Sequence, residues 1–160
     1  MDREAVFAVN AAAFETSSEA ALVEALRARA QPTVSLVAEL DGRIVGHILF
    51  SPVIAEACDS VRIMGLGPMA VVPEQQGKAI GTALVRAGLD ACRKLGVGAV
   101  VVLGHPQYYP RFGFEPASRF GIRCEYDVPD DAFMVLELEA GSLLGVSGQV
   151  RYHEAFELAT

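Results

Sequence analysis

The sequence predicts a single α/β domain over residues 1–160, with a mixed central β-sheet of about six to seven strands flanked by helices. Three observations support this prediction. The length is that of one domain. Apolar residues alternate along the chain between helical spacing and strand-like runs. No stretch is long and polar enough to act as a linker.

The first fifty residues predict two helices and a β-hairpin. Apolar residues at helical spacing favour a first helix over 2–14, and capping residues at 16–19 favour a second helix that ends at Pro32. Two strands should follow, at Val34–Leu40 and Ile44–Phe50. Asp41-Gly42 is typical of the two-residue turn that joins such strands.

The middle of the chain predicts a strand, a long helix and a second strand. The first strand should cover Val61–Val72 and carries Gly and Pro residues over 65–68, which usually mark a bulge or a close backbone approach. A helix should follow Pro73 and end at Gly96. The continuous apolar run Val97–Leu103 is typical of a strand buried on both faces.

The last third predicts less regular structure. A short helix or turn is expected around Gln107–Arg111, and two strands are expected at about 121–127 and 132–139. The final twenty residues are predicted only as an appendage to the same domain.

Composition and charge exclude several classes of function. A net charge of −7 argues against nucleic acid or an anionic membrane as the main partner. Three widely spaced cysteines favour reduced thiols over a disulfide framework or a zinc site, so we expect no metal. No apolar run reaches the roughly 20 residues that span a bilayer. The acidic N-terminus does not resemble a signal peptide, and we expect a cytoplasmic protein.

The stretch from Leu66 to Leu84 predicts a phosphate-binding turn. A buried strand leads through small residues into a long helix, which leaves backbone N–H groups unpaired where the helix dipole is positive. Such a helix start binds phosphate without a cationic side chain. Small residues at 77, 79 and 81 would let the phosphate approach the backbone. A tight strand–helix turn without a ligand is the alternative interpretation.

Two nucleotide-binding motifs fit this stretch poorly. A Walker loop ending at Gly77-Lys78 would need Gly at the position of Val72 and Ser or Thr at that of Ala79. The dinucleotide pattern of Gly65, Gly67 and Ala70 is not followed by a helix, because Pro and β-branched residues come next.

The window Gln76-Gly77-Lys78-Ala79-Ile80-Gly81 resembles the motif Gln/Arg-x-x-Gly-x-Gly/Ala of the GNAT N-acyltransferases, with Ala79 in place of the usual Gly. A second GNAT signature, Tyr-x-Lys/Arg-x-Gly-Phe, is similar to Tyr109-Pro110-Arg111-Phe112-Gly113-Phe114. The resemblance extends over nearly the whole chain. Many members open with a short β-strand, whereas this sequence enters its predicted first helix almost at once, so either that strand is dispensable or a few upstream residues are absent.

The resemblance implies a CoA site and a direct acyl transfer from acetyl-CoA to an amine. Tyr109 would be the general acid for the leaving sulfur, with Tyr108 next if the turn is rotated by one residue. The oxyanion would be stabilised by a backbone N–H near Met69 or Ala70, where the sheet should splay. The implied cofactor-binding residues are Met69, Ala70, Val71, Gln76, Gly77, Lys78, Ala79, Ile80, Gly81 and Thr82.

The resemblance leaves the general base and the acceptor open. His105, which follows a predicted strand and lies near Tyr109 in sequence, leads the candidates for the base. The other candidate bases are Glu39, His47, Glu125 and Asp127. A chain of water molecules is the alternative to a side-chain base.

The expected acceptor is a small-molecule or peptide amine, and the sequence is compatible with a homodimer. The rival function is a catalytically degenerate CoA-binding sensor or structural module on the same fold.

Overall fold

The computed structural model describes residues 4, 6–8, 33–55, 61–76, 79–126, 128–144, 146 and 148–152. Residues 4 and 6–8 are helical, whereas the rest of the two predicted N-terminal helices lies outside the described residues. Among the residues so described, no helix is both long and apolar enough to cross a membrane.

Within the described ranges, nine strands form two sheets. Their bounds are β1 (Val34–Leu40), β2 (Arg43–Pro52), β3 (Ile54–Ala55), β4 (Ile63–Val71), β5 (Ala99–Leu103), β6 (Glu115–Pro116), β7 (Ile122–Cys124), β8 (Phe133–Glu137) and β9 (Gly148–Arg151). The main sheet has the order β1-β2-β4-β5-β8-β6, and the second sheet has the order β3-β9-β7. In the main sheet β4 and β5 are parallel and the other described pairs are antiparallel. The predicted mixed α/β fold is therefore confirmed.

A long helix, α1 (Ile80–Lys94), covers one face of the main sheet. It packs closely because two glycines leave no side chain in the interface. A Cβ on Gly46 of β2 would lie 3.1 Å from Leu84, and a Cβ on Gly88 would collide with the ring of Phe50. The helix ends where predicted, since Gly96 follows it with φ of 80°.

The second sheet covers the opposite face. A Cβ on Gly65 of β4 would lie 2.6 Å from the ring of Tyr152, directly after β9. Tyr152 belongs to a buried cluster with Ile63 and Val101, whereas Leu84 and Phe50 belong to the cluster beneath α1. The final residues, predicted only as an appendage, thus contribute β9, the central strand of the second sheet.

The main sheet opens between β4 and β5. Their parallel register ends at the pair Leu66 and Val102, whereas β4 continues along β2 as far as Val71. The register of β2 against β4 shifts between Ile48 and Phe50, opposite the cis-linked Gly67-Pro68. The predicted interruption of this strand is therefore present as a bulge. Beyond it, no strand among the described residues pairs with the edge of β4 that faced β5, and we call this the open edge of β4.

Candidate active site

The start of α1 carries backbone donors that the helix does not use. The first hydrogen bond of the helix runs from Ala83 N–H to Ala79 O, at 3.1 Å. The N–H groups of Ile80, Gly81 and Thr82 therefore have no acceptor within the helix. Together with the helix dipole they create positive potential at this end of α1.

These three residues line an open groove of about 400 Å³. The groove lies between the end of β4, the turn before α1 and the segment after β5. Its lining residues are Val71, Gln75, Gln76, Ala79, Ile80, Gly81, Thr82, Tyr108 and Arg111. The structure thus brings together most of the predicted cofactor-binding residues, whereas Gly77 and Lys78 lie outside the described residues.

Ala79, which replaces the usual glycine of the motif, precedes α1 in the left-handed conformation, with φ of 64° and ψ of 13°. A glycine adopts this conformation without strain, whereas the Cβ of an L-residue costs about 1–2 kcal/mol there. The turn therefore keeps the glycine geometry although it carries an alanine.

We expect Ala79→Gly to stabilise the fold by up to about 1 kcal/mol, because it relieves the left-handed strain and loses only part of that gain to greater freedom in the unfolded chain. Urea unfolding measures the effect. The matched control is Ala87→Gly on an exposed, right-handed turn of α1, which should destabilise by about 1 kcal/mol. Equal destabilisation by both changes would show that residue 79 is not left-handed.

The backbone of β4 presents polar groups alternately to its two edges. Val72 N–H donates to Val45 O at 2.8 Å, and Ala70 lies opposite His47. Hydrogen-bonded pairs alternate in an antiparallel ladder, so Ala70 directs its N–H and C=O to β2. Met69 and Val71 direct theirs to the open edge. The Val71 carbonyl there accepts the side-chain amide of Gln76 at 2.9 Å.

Tyr108 and Tyr109 occupy different environments. The Tyr108 hydroxyl lies 3.0 Å from the hydroxyl of Thr82, inside the groove. The Arg111 guanidinium stacks 4.3 Å from the centroid of the Tyr108 ring, and Arg111 Nε–H donates to the Tyr108 carbonyl at 2.8 Å. Arg111 therefore adds positive charge to the groove beside the helix start.

Tyr109 is buried at the point where the main sheet opens. It begins the 3-10 turn Tyr109–Phe112, and a Cβ on Gly104, directly after β5, would lie 2.5 Å from its ring. Burial raises the pKa of Tyr109 to about 12, with a smaller contribution from Tyr108. The Tyr109 ring belongs to the buried cluster beneath α1, where it packs edge-on against Phe114 with the ring centroids 5.7 Å apart.

The candidate bases are scattered. His105 is exposed directly after β5, and its carbonyl accepts the N–H groups of Tyr108 and Tyr109. His47 is fully buried, with its Nε2 2.8 Å from the Ser35 hydroxyl. The remaining candidates are an exposed Glu39, a Glu125 whose carboxylate accepts the Tyr152 N–H at 2.8 Å, and Asp127, which lies outside the described residues.

A smaller cleft lies on the second-sheet face, where β4 and β5 separate. We call it the second cleft; it is lined by Leu66, Gly67, Pro68, Leu103, Tyr126 and Tyr152. No sequence motif includes Leu103, Tyr126 or Tyr152. Leu103 ends a run that predicted a strand, and no local pattern marks the tyrosines as neighbours.

Comparison with known proteins gives a consistent assignment. Residues 4–114 match the family model described as Acetyltransferase (GNAT) family. The chain is 39% identical over 157 residues to the uncharacterized N-acetyltransferase YhbS of Escherichia coli strain K12, covering 98% of this chain and 93% of that protein. It is 38% identical over 149 residues to the uncharacterized N-acetyltransferase YjhQ of the same strain, covering 89% and 82%.

Two solved structures are similar over almost the whole chain. A crystal structure of the Escherichia coli YhbS in complex with CoA superposes with a TM-score of 0.90 at 37% identity, covering 98% of this chain and 87% of that one. A GNAT family acetyltransferase from Brucella melitensis in complex with acetyl-CoA gives a TM-score of 0.76 at 36% identity, covering 97% and 92%.

Proposed function

The chain belongs to the GNAT acetyltransferase family, and from that premise we propose that it transfers the acetyl group of acetyl-CoA to a primary amine by direct attack in a ternary complex. The observation that carries the proposal is the groove at the start of α1. There, three N–H groups without helical acceptors lie beside the open edge of β4. The similar structures that hold CoA or acetyl-CoA support the choice of cosubstrate.

The groove suits a pyrophosphate followed by an extended arm. The N–H groups of Ile80, Gly81 and Thr82 and the dipole of α1 provide an anion site. Arg111 adds a cation at its rim. The open edge of β4 presents the N–H groups of Met69 and Val71 and the Met69 carbonyl, and an amide-containing arm can pair with such groups as an added strand would.

The reaction forms a nitrogen–carbon bond and breaks the carbon–sulfur bond of the thioester. Charge develops on the carbonyl oxygen, and a fixed N–H donor aimed at that oxygen stabilises it. We assign this donor to Met69 rather than Ala70, because the register directs Ala70 N–H into the ladder with β2.

Tyr109 is proposed as the general acid that gives its proton to the departing sulfur. Its raised pKa, about 12, keeps the hydroxyl protonated at neutral pH. The attacking amine must lose a proton to a base or to water. His105 remains the proposed base, since its exposed side chain can exchange the proton with solvent beside the turn that carries Tyr109.

Incubation with acetyl-CoA and a panel of primary amines tests the proposed function. We expect an N-acetylated amine, identified by mass spectrometry, in equal amount to the CoA released. The control reaction omits the protein. Failure of every amine to be acetylated, together with normal CoA binding, would instead favour a catalytically degenerate CoA-binding module.

A further inference from the structure

The second cleft lies where β4 and β5 separate, and its lining residues Leu66, Gly67 and Pro68 directly precede Met69, the proposed oxyanion donor. Leu66 is the last residue of β4 that pairs with β5, and Leu103 is the last residue of β5. Side chains alternate along a strand, so Leu103 lies on the same face as Val101, which packs beneath the second sheet. A molecule in the second cleft would therefore approach the opening between β4 and β5 from the side away from α1.

The described wall of this cleft is apolar and aromatic. Tyr126 and Tyr152 stack with their ring centroids 6.2 Å apart and an angle of 26° between the rings. Leu103 keeps 39% of its surface exposed at the mouth of the cleft. Burial holds the pKa of Tyr152 well above its ordinary value, so its phenol is neutral at working pH. Glu125, close by, directs a carboxylate oxygen to the Tyr152 N–H rather than lining the cleft.

The volume of the cleft limits what it can hold. It measures about 170 Å³. An apolar protein cavity of about 150 Å³ binds benzene. The second cleft therefore has room for one aromatic ring or a branched aliphatic group of similar size, and its described lining offers no charged partner to a cationic or anionic group.

The tyrosine wall lies outside the part of the chain that matches the family model. That match ends at residue 114, whereas Tyr126 follows β7 and Tyr152 follows β9. The two aromatic residues of the cleft therefore lie in the C-terminal third of the chain, whereas its other lining residues lie within the matched part.

We propose that the second cleft is the acceptor site and that it selects a primary amine attached to a single uncharged ring or branched apolar group. This inference rests on the proposed function, since it supplies the acceptor of the same reaction. It predicts a preference for 2-phenylethylamine over agmatine, which carries a guanidinium at the far end from its amine.

The test compares two leucine variants of similar exposure. Leu103→Glu places a carboxylate at the mouth of the cleft, whereas Leu95→Glu places one after α1, where the leucine is 44% exposed and remote from the cleft. The wild type should favour 2-phenylethylamine in kcat/KM by about tenfold or more, the scale of a well-filled apolar pocket. Leu103→Glu should lower that value about tenfold and raise the value for agmatine, and Leu95→Glu should change neither.

Binding of CoA is measured on each protein as a rise in Tm, together with the Tm itself. If Leu103→Glu folds poorly, Leu103→Thr provides the same comparison, with a smaller loss for 2-phenylethylamine. Three outcomes, each with normal CoA binding, would show that the acceptor assignment is wrong while the CoA site stands. The wild type could prefer agmatine, the wild type could acetylate neither amine, or the Leu103 variants could keep the wild-type selectivity. Absence of any effect of CoA on the wild type would overturn both proposals.

Discussion

Replacement of Gly81 by Asp is expected to abolish the rise in Tm that CoA produces. Gly81 is the second residue of α1, and a Cβ there would lie 3.5 Å from Met69 and 3.7 Å from the Tyr108 hydroxyl, which are ordinary contacts. The backbone therefore tolerates a side chain, and an acidic group near a helix start does not harm the fold. A carboxylate at this position would, however, repel the pyrophosphate of CoA and occupy its place.

The effect should be large enough to measure by thermal unfolding. A ligand at 100 times its Kd stabilises the folded state by about 2.7 kcal/mol. For a chain of this size that corresponds to roughly 5–10 °C in Tm. We expect the wild type to show a shift on this scale and Gly81→Asp to show none.

Two further substitutions separate charge from shape. Gly81→Asn has the shape of the Asp variant without its charge, so it should retain part of the CoA response. Gly81→Ala should retain most of it, because only a methyl group is added. A Gly81→Asp protein that responds to CoA like the wild type would show that the start of α1 does not hold the pyrophosphate.

Removal of the Tyr109 hydroxyl should lower the rate of acetyl transfer by about 10²-fold or more, within the range that general acid catalysis supplies. Tyr109→Phe keeps the ring that packs against Gly104 and Phe114. CoA binding and Tm should therefore change little, and the loss should appear in kcat. Steady-state kinetics with saturating acetyl-CoA measure it.

The pH dependence adds a second readout. A raised pKa of about 12 means that folded Tyr109 holds its proton until the pH rises well past 10. The hydroxyl should therefore give no alkaline limb below about pH 11, and wild type and Tyr109→Phe should differ by a constant factor between pH 7 and 10. Any rise in rate over this range reflects deprotonation of the amine or its base.

Tyr108→Phe is the matched control. It removes the hydroxyl that contacts Thr82 in the groove, so it should change the KM for acetyl-CoA more than kcat. If Tyr108→Phe instead caused the large loss of kcat and Tyr109→Phe left it normal, Tyr108 would be the acid.

Local signals allowed much of the main sheet to be predicted. The hairpin turn at Asp41-Gly42, with φ of 53° and 78°, determines β1, whose bounds match the prediction. Apolar residues at helical spacing before Gly96 likewise predicted α1. Both features are set by residues a few positions apart.

The second sheet could not be predicted because its pairing is non-local. Ile54 pairs with Arg151, almost a hundred residues later, and β7 pairs in parallel with β9. The strands have only two to four residues, too few for a period of two to be recognised. The second cleft depends on this pairing and was missed with it.

The candidate site also has one part that depends on neighbouring residues in the sequence and one part that depends on long-range packing. The strand and the helix start that frame the groove could be predicted because they are nearly consecutive in the chain. By contrast, the burial of Tyr109 beside the opening of the sheet depends on packing against Gly104, directly after β5, and on the end of the β4–β5 pairing at Leu66. The base stays a prediction, since its assignment requires the position of the bound amine.

Rapid-mixing measurement of CoA release, with and without an acceptor amine, tests direct acetyl transfer most directly. Because the amine is proposed to attack the thioester itself, acetyl-CoA alone should release CoA no faster than uncatalysed hydrolysis. Addition of the amine should give CoA in equal amount to the N-acetylated product. A burst of CoA equal to the enzyme concentration without amine would contradict direct attack, and release that never depends on any amine would contradict acetyl transfer.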